Sequence, residues 1–237
     1  MKAMLLAAGR GERMRPLTDH CPKPLLAPGG VPLIERHLRR LASAGFENVV
    51  INHAWLGEKI ESALGDGRRF GMRISYSAEG TALETAGGIA NALPLLGDAP
   101  FLVINADTYC DFDPGRARSI AAQMAAADQL AWLVLVPNPP HHPAGDFALR
   151  NGLVHLEPGA PRLTFSGIGI YAPGPFAAVA HGSAAKLAPL LRTLIATRQV
   201  GGEVHSGRWV DVGTPERLAA LDAELRGAPV QAPTITP

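Results

Sequence analysis

Gly9, Gly11, Arg13, Arg15 and Lys23 fall within one connection, "GRGERMRPLTDHCPK", directly after the apolar run Met4–Ala7. A turn of small residues lets backbone N–H groups approach oxygen atoms closely, and cations a few residues further on offset several negative charges at once. That combination suits a polyphosphate. Pro16, Pro22 and Pro24 stiffen the segment and lower the entropy of ordering it around a ligand. The competing reading is a basic surface loop that only solvates itself. Two familiar phosphate-binding patterns fail on particular residues. Met14 stands where a dinucleotide fingerprint needs its third glycine, Pro16 follows, and the next strand ends near Asn52 instead of an acidic residue. A P-loop needs a Gly-Lys-Ser/Thr ending, which the segment lacks.

The flanking pattern says what holds this loop. After the first strand, "PLIERHLRRLASAG" places Ile34, Leu38 and Leu41 on one helical face, with Gly45 as the C-terminal cap. "NVVINHA" reads as a strand, "LGEKIESALG" as a helix, "RISYSAE" as a strand, "ETAGGIANALPLL" as a helix and "FLVINAD" as a strand. Strands alternating with helices predict a mostly parallel sheet covered on both faces, which gathers ligands at the carboxyl ends of its strands. "SIAAQMAAAD" then predicts a helix and "LAWLVLV" a fifth buried strand. Beyond it the pattern turns β-rich: a hairpin about Asn151-Gly152, a strand in "LTFSGIGIYAP", and a helix over 186–198. Thr214 as N-cap and Pro215 at the first helical position open a closing helix with Leu218, Leu221 and Leu225 on its inner side. Residues 228–237 read as a loose tail.

Composition bounds the partners. The chain has 237 residues, 47% hydrophobic, enough for one large domain over 1–227, with a nucleotide-binding part to about 137 and a sugar-binding part and closing helix over about 138–227. Lys and Arg number 22 against 21 Asp and Glu, so no global field gathers nucleic acid and any anion site is local. Cys21 and Cys110 lie in no metal-ligand spacing, which points to a reducing, cytoplasmic setting. The first apolar run is too short for a signal peptide, and no run approaches the roughly 20 residues of a membrane span. A monomer or weak homo-oligomer is expected.

"LAAGRGERMRPLT" followed by "PKPLL" resembles the signature of sugar-1-phosphate nucleotidyltransferases, in which a glycine-rich turn carries an arginine and a later Pro-Lys. Gly11, Arg13, Pro16, Thr18 and Lys23 match; Glu12 and Met14 replace the usual threonine and leucine. "LETAGGI", "NAD" at 105–107, "HLEP", "FSGIGIY" and "WVDVGTPERL" recur in family order along nearly the whole chain. "NHAWLGEKIESALGDG" with "LETAGGI" most resembles the branch that uridylylates N-acetylmuramic acid 1-phosphate in cell-wall recycling.

The resemblance implies a Rossmann-like, GT-A-like α/β fold with a small β-rich sugar-binding region. It implies transfer of UMP from UTP to the sugar 1-phosphate, releasing pyrophosphate. Arg13 would hold the outer phosphates and Lys23 the α-phosphate and the incoming sugar phosphate. Leu6, Ala8, Gly9, Gly11, Glu12, Glu79, Gly87, Gly88 and Asn105 would complete the nucleotide site, Gly87 and Gly88 by letting backbone approach the uracil. Asp107 ends "FLVINAD", and Asp211 lies in the apolar "WVDVG", where an unpaired carboxylate is costly to bury. We expect the two to converge on Mg2+, which prefers hard oxygen ligands; the resemblance implies the same two positions. Asn138, Gly145, Glu157, Ser166 and Gly167 are the sugar-side candidates, with turn chemistry as the alternative for Asn138 and Glu157. Asp111 and Asp113 read as solvent or capping carboxylates, and His53, His141, His142, His155 and His205 as structural. Another sugar-1-phosphate uridylyl- or guanylyltransferase, acting on mannose or glucose 1-phosphate, is the nearest alternative. A non-catalytic nucleotide-sugar sensor is the alternative of another class.

Overall fold

The computed structural model describes residues 1–157 and 159–227; Pro158 and the tail expected over 228–237 lie outside the described residues. The first half alternates strand and helix as its pattern predicts. β1 (Ala3–Leu6) leads through the basic connection, which holds the four-residue α1 (Leu17–His20), into α2 (Leu33–Ser43). Ile34, Leu38 and Leu41 of α2 are fully buried, and Gly45 beyond its end has φ +74°. There follow β2 (Asn48–His53), α3 (Gly57–Leu64), β3 (Arg73–Ala78), α4 (Glu84–Leu96), β4 (Phe101–Asn105) and a short β5 (Thr108–Cys110).

The second half comprises α5 (Ala117–Ala126), β6 (Ala131–Val136), the hairpin strands β7 (Ala148–Arg150) and β8 (Leu153–His155), and β9 (Thr164–Tyr171). After it come α6 (Gly174–Ala177), α7 (Leu187–Ala196), β10 (Val200–Val204), β11 (Trp209–Asp211) and α8 (Pro215–Leu225). Thr214 caps α8, its hydroxyl oxygen accepting from the Arg217 N–H at 3.3 Å, with Pro215 first in the helix.

Nine strands form one sheet in the order β3-β2-β1-β4-β9-β6-β10-β8-β7. The block β3-β2-β1-β4 is parallel throughout, so the ends of β1, β2 and β4 open on the same edge. β9 is antiparallel to both its neighbours, a reversal that helix-strand alternation does not forecast. The β-rich second half continues the same sheet through β10 and the hairpin. Sequence reading misses β10 because Gly201-Gly202 looks like a turn. Both glycines sit inside the sheet, where a Cβ at 201 would strike the Trp132 ring at 2.5 Å and one at 202 the Leu133 carbonyl at 2.9 Å.

Two apolar layers flank the sheet, one centred on Ile34, Leu38, Ile60 and Ile120, the other on Ile89, Phe101, Leu133, Phe176 and Leu191. A third, smaller cluster joins Met14 of the basic connection to Leu33, Val212 and Leu221. Met14 is fully buried, which contributes on the order of 1.5–3 kcal/mol and pins the loop to the closing segment. The residue that departs from the family's leucine therefore serves as the loop's anchor.

His37 of α2 donates from Nε2 to the Thr108 carbonyl at 2.7 Å, tying α2 to the turn after β4. Burial, foremost, holds its pKa down at about 4, against 6.5 for a free histidine. The folded state thus resists a proton that the unfolded chain accepts, so stability present above pH 6.5 is lost as pH falls toward 4, by up to about 3 kcal/mol. His37→Gln, which keeps a donor toward Thr108, should flatten that part of a denaturation-versus-pH curve. A parental slope retained in the variant would remove His37 as its source.

Candidate active site

A cleft of about 510 Å3 opens where β1, β2 and β4 end. Its floor is the turn after β1: Leu6, Ala8, Gly9, Gly11, Glu12 and Arg13 line it, with Lys23, Asn105 and Asp107 facing them. Gly11 takes φ +70°, and a Cβ there would press on the Thr18 methyl at 3.0 Å. The Thr18 hydroxyl donates to the Gly11 carbonyl at 2.9 Å and closes the loop upon itself. Gly9 has open space around its Cβ position, leaving its backbone accessible.

The cations of the loop divide into two sets. Arg10 donates to Asp19 and to the Thr18 carbonyl, both at 2.8 Å, and lies 3.8 Å over the Trp55 ring. Arg15 donates to the same Asp19 oxygen at 2.9 Å, so it braces the loop instead of joining the phosphate cradle as its spacing suggested. The hydrogen bond from Arg10, followed by the field of Arg15, holds the Asp19 carboxyl below its ordinary range. Arg13 is exposed on the cleft and has no ion-pair partner among the described residues. Lys23, 8% exposed, is paired with Asp107. The loop is thus fixed by its outer cations and presents its inner ones.

Asn52 is a participant that sequence reading overlooked. Its carbonyl oxygen accepts from the Ala7 N–H at 2.9 Å, and its amide donates to Glu79 at 2.6 Å. The other Glu79 oxygen accepts from the Leu83 N–H at 2.8 Å. Both Glu79 carboxylate oxygens are thus engaged, and the residue sets the strand-to-helix connection. The Gly87 N–H donates to the Ala185 carbonyl at 3.0 Å, and a Cβ there would collide with the Ser183 carbonyl. Gly88 leaves room for the Asn52–Glu79 pair, which a Cβ would meet at 2.7 and 2.5 Å. The connection itself reaches the cleft through Ala82, Glu84 and Thr85, with Glu84 held at φ +61°. A signal for Asn52 existed: an amide ending a buried apolar strand needs partners.

Asp211 arrives from the far end of the chain. β11 pairs antiparallel with β5 in a two-stranded ribbon, setting Asp211 opposite Thr108, the residue that follows Asp107 in the chain. Asp211 accepts from Arg217 at 2.7 Å and lies 3.6 Å from His141. Arg217 donates to His141 Nε2 at 2.7 Å, so that ring nitrogen accepts; burial, then the field of Arg217, lower the His141 pKa. A histidine read as merely structural thus stands at the Asp211 side of the ribbon.

The sugar-side candidates fare unevenly. Asn138 does the loop chemistry that was its alternative reading: its amide donates to Pro143 and Arg162 carbonyls and its oxygen accepts from Thr164. Gly145, at φ +60°, packs against Asn138 and Arg162. Glu157 forms a forked pair with Arg150 of the outer hairpin, and buried Ser166 donates into the sheet at Val134. Gly167 alone of the five abuts a cleft residue, Asn105. Asp113 caps the Gly115 N–H at 2.9 Å and Asp111 pairs with His205 at 2.7 Å, as expected of carboxylates outside the site. Cys110 lies with these last two, within 4.8 Å, but burial raises its thiol pKa to about 11.

Residues 2–149 match the family model for nucleotidyl transferases. The chain is 55% identical over 231 residues to N-acetylmuramate alpha-1-phosphate uridylyltransferase of Neisseria meningitidis serogroup B, covering 96% of this chain and 99% of that one. It is 35% identical to the enzyme of the same description from Caulobacter vibrioides, covering 95% and 97%. A solved structure of a candidate glucose-1-phosphate thymidylyltransferase from Bacillus anthracis, in complex with sucrose, superposes with TM-score 0.82 at 21% identity over 98% of both chains. That likeness concerns the fold.

Asn52→Ala would leave the buried Ala7 N–H without an acceptor. Chemical denaturation should show a loss of about 1–3 kcal/mol; a change under about 0.5 kcal/mol would mean that this bond does not hold the floor of the cleft.

Proposed function

We propose, from the premise that this chain belongs to the sugar-1-phosphate nucleotidyltransferase family, that it transfers UMP from UTP to N-acetylmuramic acid 1-phosphate. The products are UDP-N-acetylmuramic acid and pyrophosphate, which serves the recycling of cell-wall sugar. The observation that carries the reading is the meeting of Arg13, Lys23 and Asp107 in one cleft at the carboxyl ends of parallel strands. Full-length identity to uridylyltransferases of this sugar supports the choice of substrates.

A phosphate monoester has a second pKa of about 6, so the attacking oxygen is already anionic near neutral pH and no general base is required. The chain must supply alignment and relief of repulsion between two anions. The backbone of Gly9 to Gly11 receives phosphate oxygens, and Arg13 holds the β- and γ-phosphates. Lys23 lies beside the α-phosphate and the incoming sugar phosphate, stabilising charge as the bond to the leaving pyrophosphate breaks. Its pairing with Asp107 keeps the ammonium aimed into the cleft before substrate arrives.

Asp107 and Asp211 suit a hard divalent ion such as Mg2+. Asp107 lines the cleft one residue before β5, and Asp211 pairs with Thr108, the first residue of β5, which supports a shared ion with the remaining coordination left to water and substrate. When bound, the ion would supply Lewis-acid stabilisation of phosphate charge. Among the described residues no helix is long and apolar enough to cross a membrane; the free thiols of Cys21 and Cys110 support a reducing site of action.

Pyrophosphate release with UTP, Mg2+ and N-acetylmuramic acid 1-phosphate tests the assignment against a panel of sugar phosphates and GTP. Highest kcat/KM for the named pair is expected, and preference for GTP or for a glucose or mannose phosphate would overturn it. Arg13→Ala and Lys23→Ala should each lower kcat by about 10²–10³ with the fold intact. Activity within about threefold of the parent in either would remove that residue from the mechanism. For Asp211→Asn the Mg2+ titration should shift to higher concentration; an unchanged titration would take Asp211 out of the ligand set.

A further inference from the structure

The acceptor sugar assigned above carries, besides its phosphate, the carboxylate of a lactyl ether. The two cations given roles so far leave that anion without a partner, since Lys23 and Arg13 attend the reacting phosphates. One more guanidinium stands against Gly213, a residue that lines the cleft. Arg217, from the first turn of α8, is 20% exposed and fixed at one nitrogen, which donates to Asp211 and His141 at 2.7 Å each. A guanidinium presents five N–H donors in a planar fork. The Nε and the second terminal nitrogen of Arg217 make no hydrogen bond among the described residues.

That second nitrogen lies against Gly213, where a Cβ would collide with it, and Gly213 lines the cleft. The free side of the fork is therefore held against a residue of the cleft wall, by partners drawn from β11 and the loop after β6. Such a planar pair of donors matches a carboxylate better than a point charge does. Asp211 and His141 steady the guanidinium so that little side-chain entropy is lost when an anion docks.

We propose that Arg217, steadied by Asp211 and His141, receives the lactyl carboxylate of the acceptor sugar and so selects the sugar acid over its uncharged counterpart. This inference rests on the function proposed above. The test compares kcat/KM for N-acetylmuramic acid 1-phosphate with that for N-acetylglucosamine 1-phosphate, which is the same sugar without the lactyl ether, in the parent, Arg217→Gln and Arg217→Lys.

In Arg217→Gln the ratio of the two values should fall about tenfold to a hundredfold, chiefly through KM for the sugar acid. Arg217→Lys, which keeps the charge and loses the fork, should give an intermediate ratio and serves if the glutamine variant melts. A ratio within about twofold of the parent's in both variants would overturn the inference, as would an equal loss with both sugars. A parent that turns over other sugar phosphates and neither of these would instead overturn the proposed function, and this inference with it.

Discussion

The ion pair between Lys23 and Asp107 is the constraint around which the rest is arranged. A lysine this deeply placed loses most of its hydration, and attraction to one carboxylate seldom offsets that cost in full. The pair is therefore weak as a source of stability and has to be imposed by its surroundings. Met14 buried under Val212 and Leu221 fixes the loop that carries Lys23. His37 on Thr108 fixes the turn that carries Asp107. Apolar burial and one interior hydrogen bond thus hold together two charges that water would otherwise separate.

The division of labour among neighbouring cations follows from the same need. Four positive side chains in one connection repel one another, and Asp19 relieves this by taking both Arg10 and Arg15. Trp55 covers Arg10 and donates to the Thr18 carbonyl, so the outer half of the loop is braced from a second element. What remains is a rigid turn with Arg13 unpaired on the cleft. Glu79 and Asn52 do the corresponding work on the opposite wall, matching backbone N–H groups that would otherwise face the interior unpartnered.

Much of this was legible in the amino-acid order. Helical spacing at Ile34, Leu38 and Leu41 and the apolar run ending at Asn105 placed the first-half elements, because local burial and local sequence coincide there. The cleft floor was legible for the same reason: Leu6 to Arg13 and Lys23 belong to one short stretch. Long-range pairing was not. Turn chemistry near Asn138 was legible, but nothing there announces Arg162 and Thr164 as partners, nor does Gly201-Gly202 announce a strand wedged against Trp132. His141 was undervalued because its partners, Asp211 and Arg217, lie some seventy positions away in the chain.

The β5–β11 ribbon has a consequence for how the protein is made. During synthesis from the amino end, the parallel block has all its strands long before Asp211 leaves the ribosome. The loop after β1 cannot be seated any sooner, because Val212 and Leu221, which bury its Met14, emerge with the same late segment as Asp211. The ribbon and the seating of the loop after β1 are therefore completed together, when the last strand and helix pack onto Thr108 and Met14.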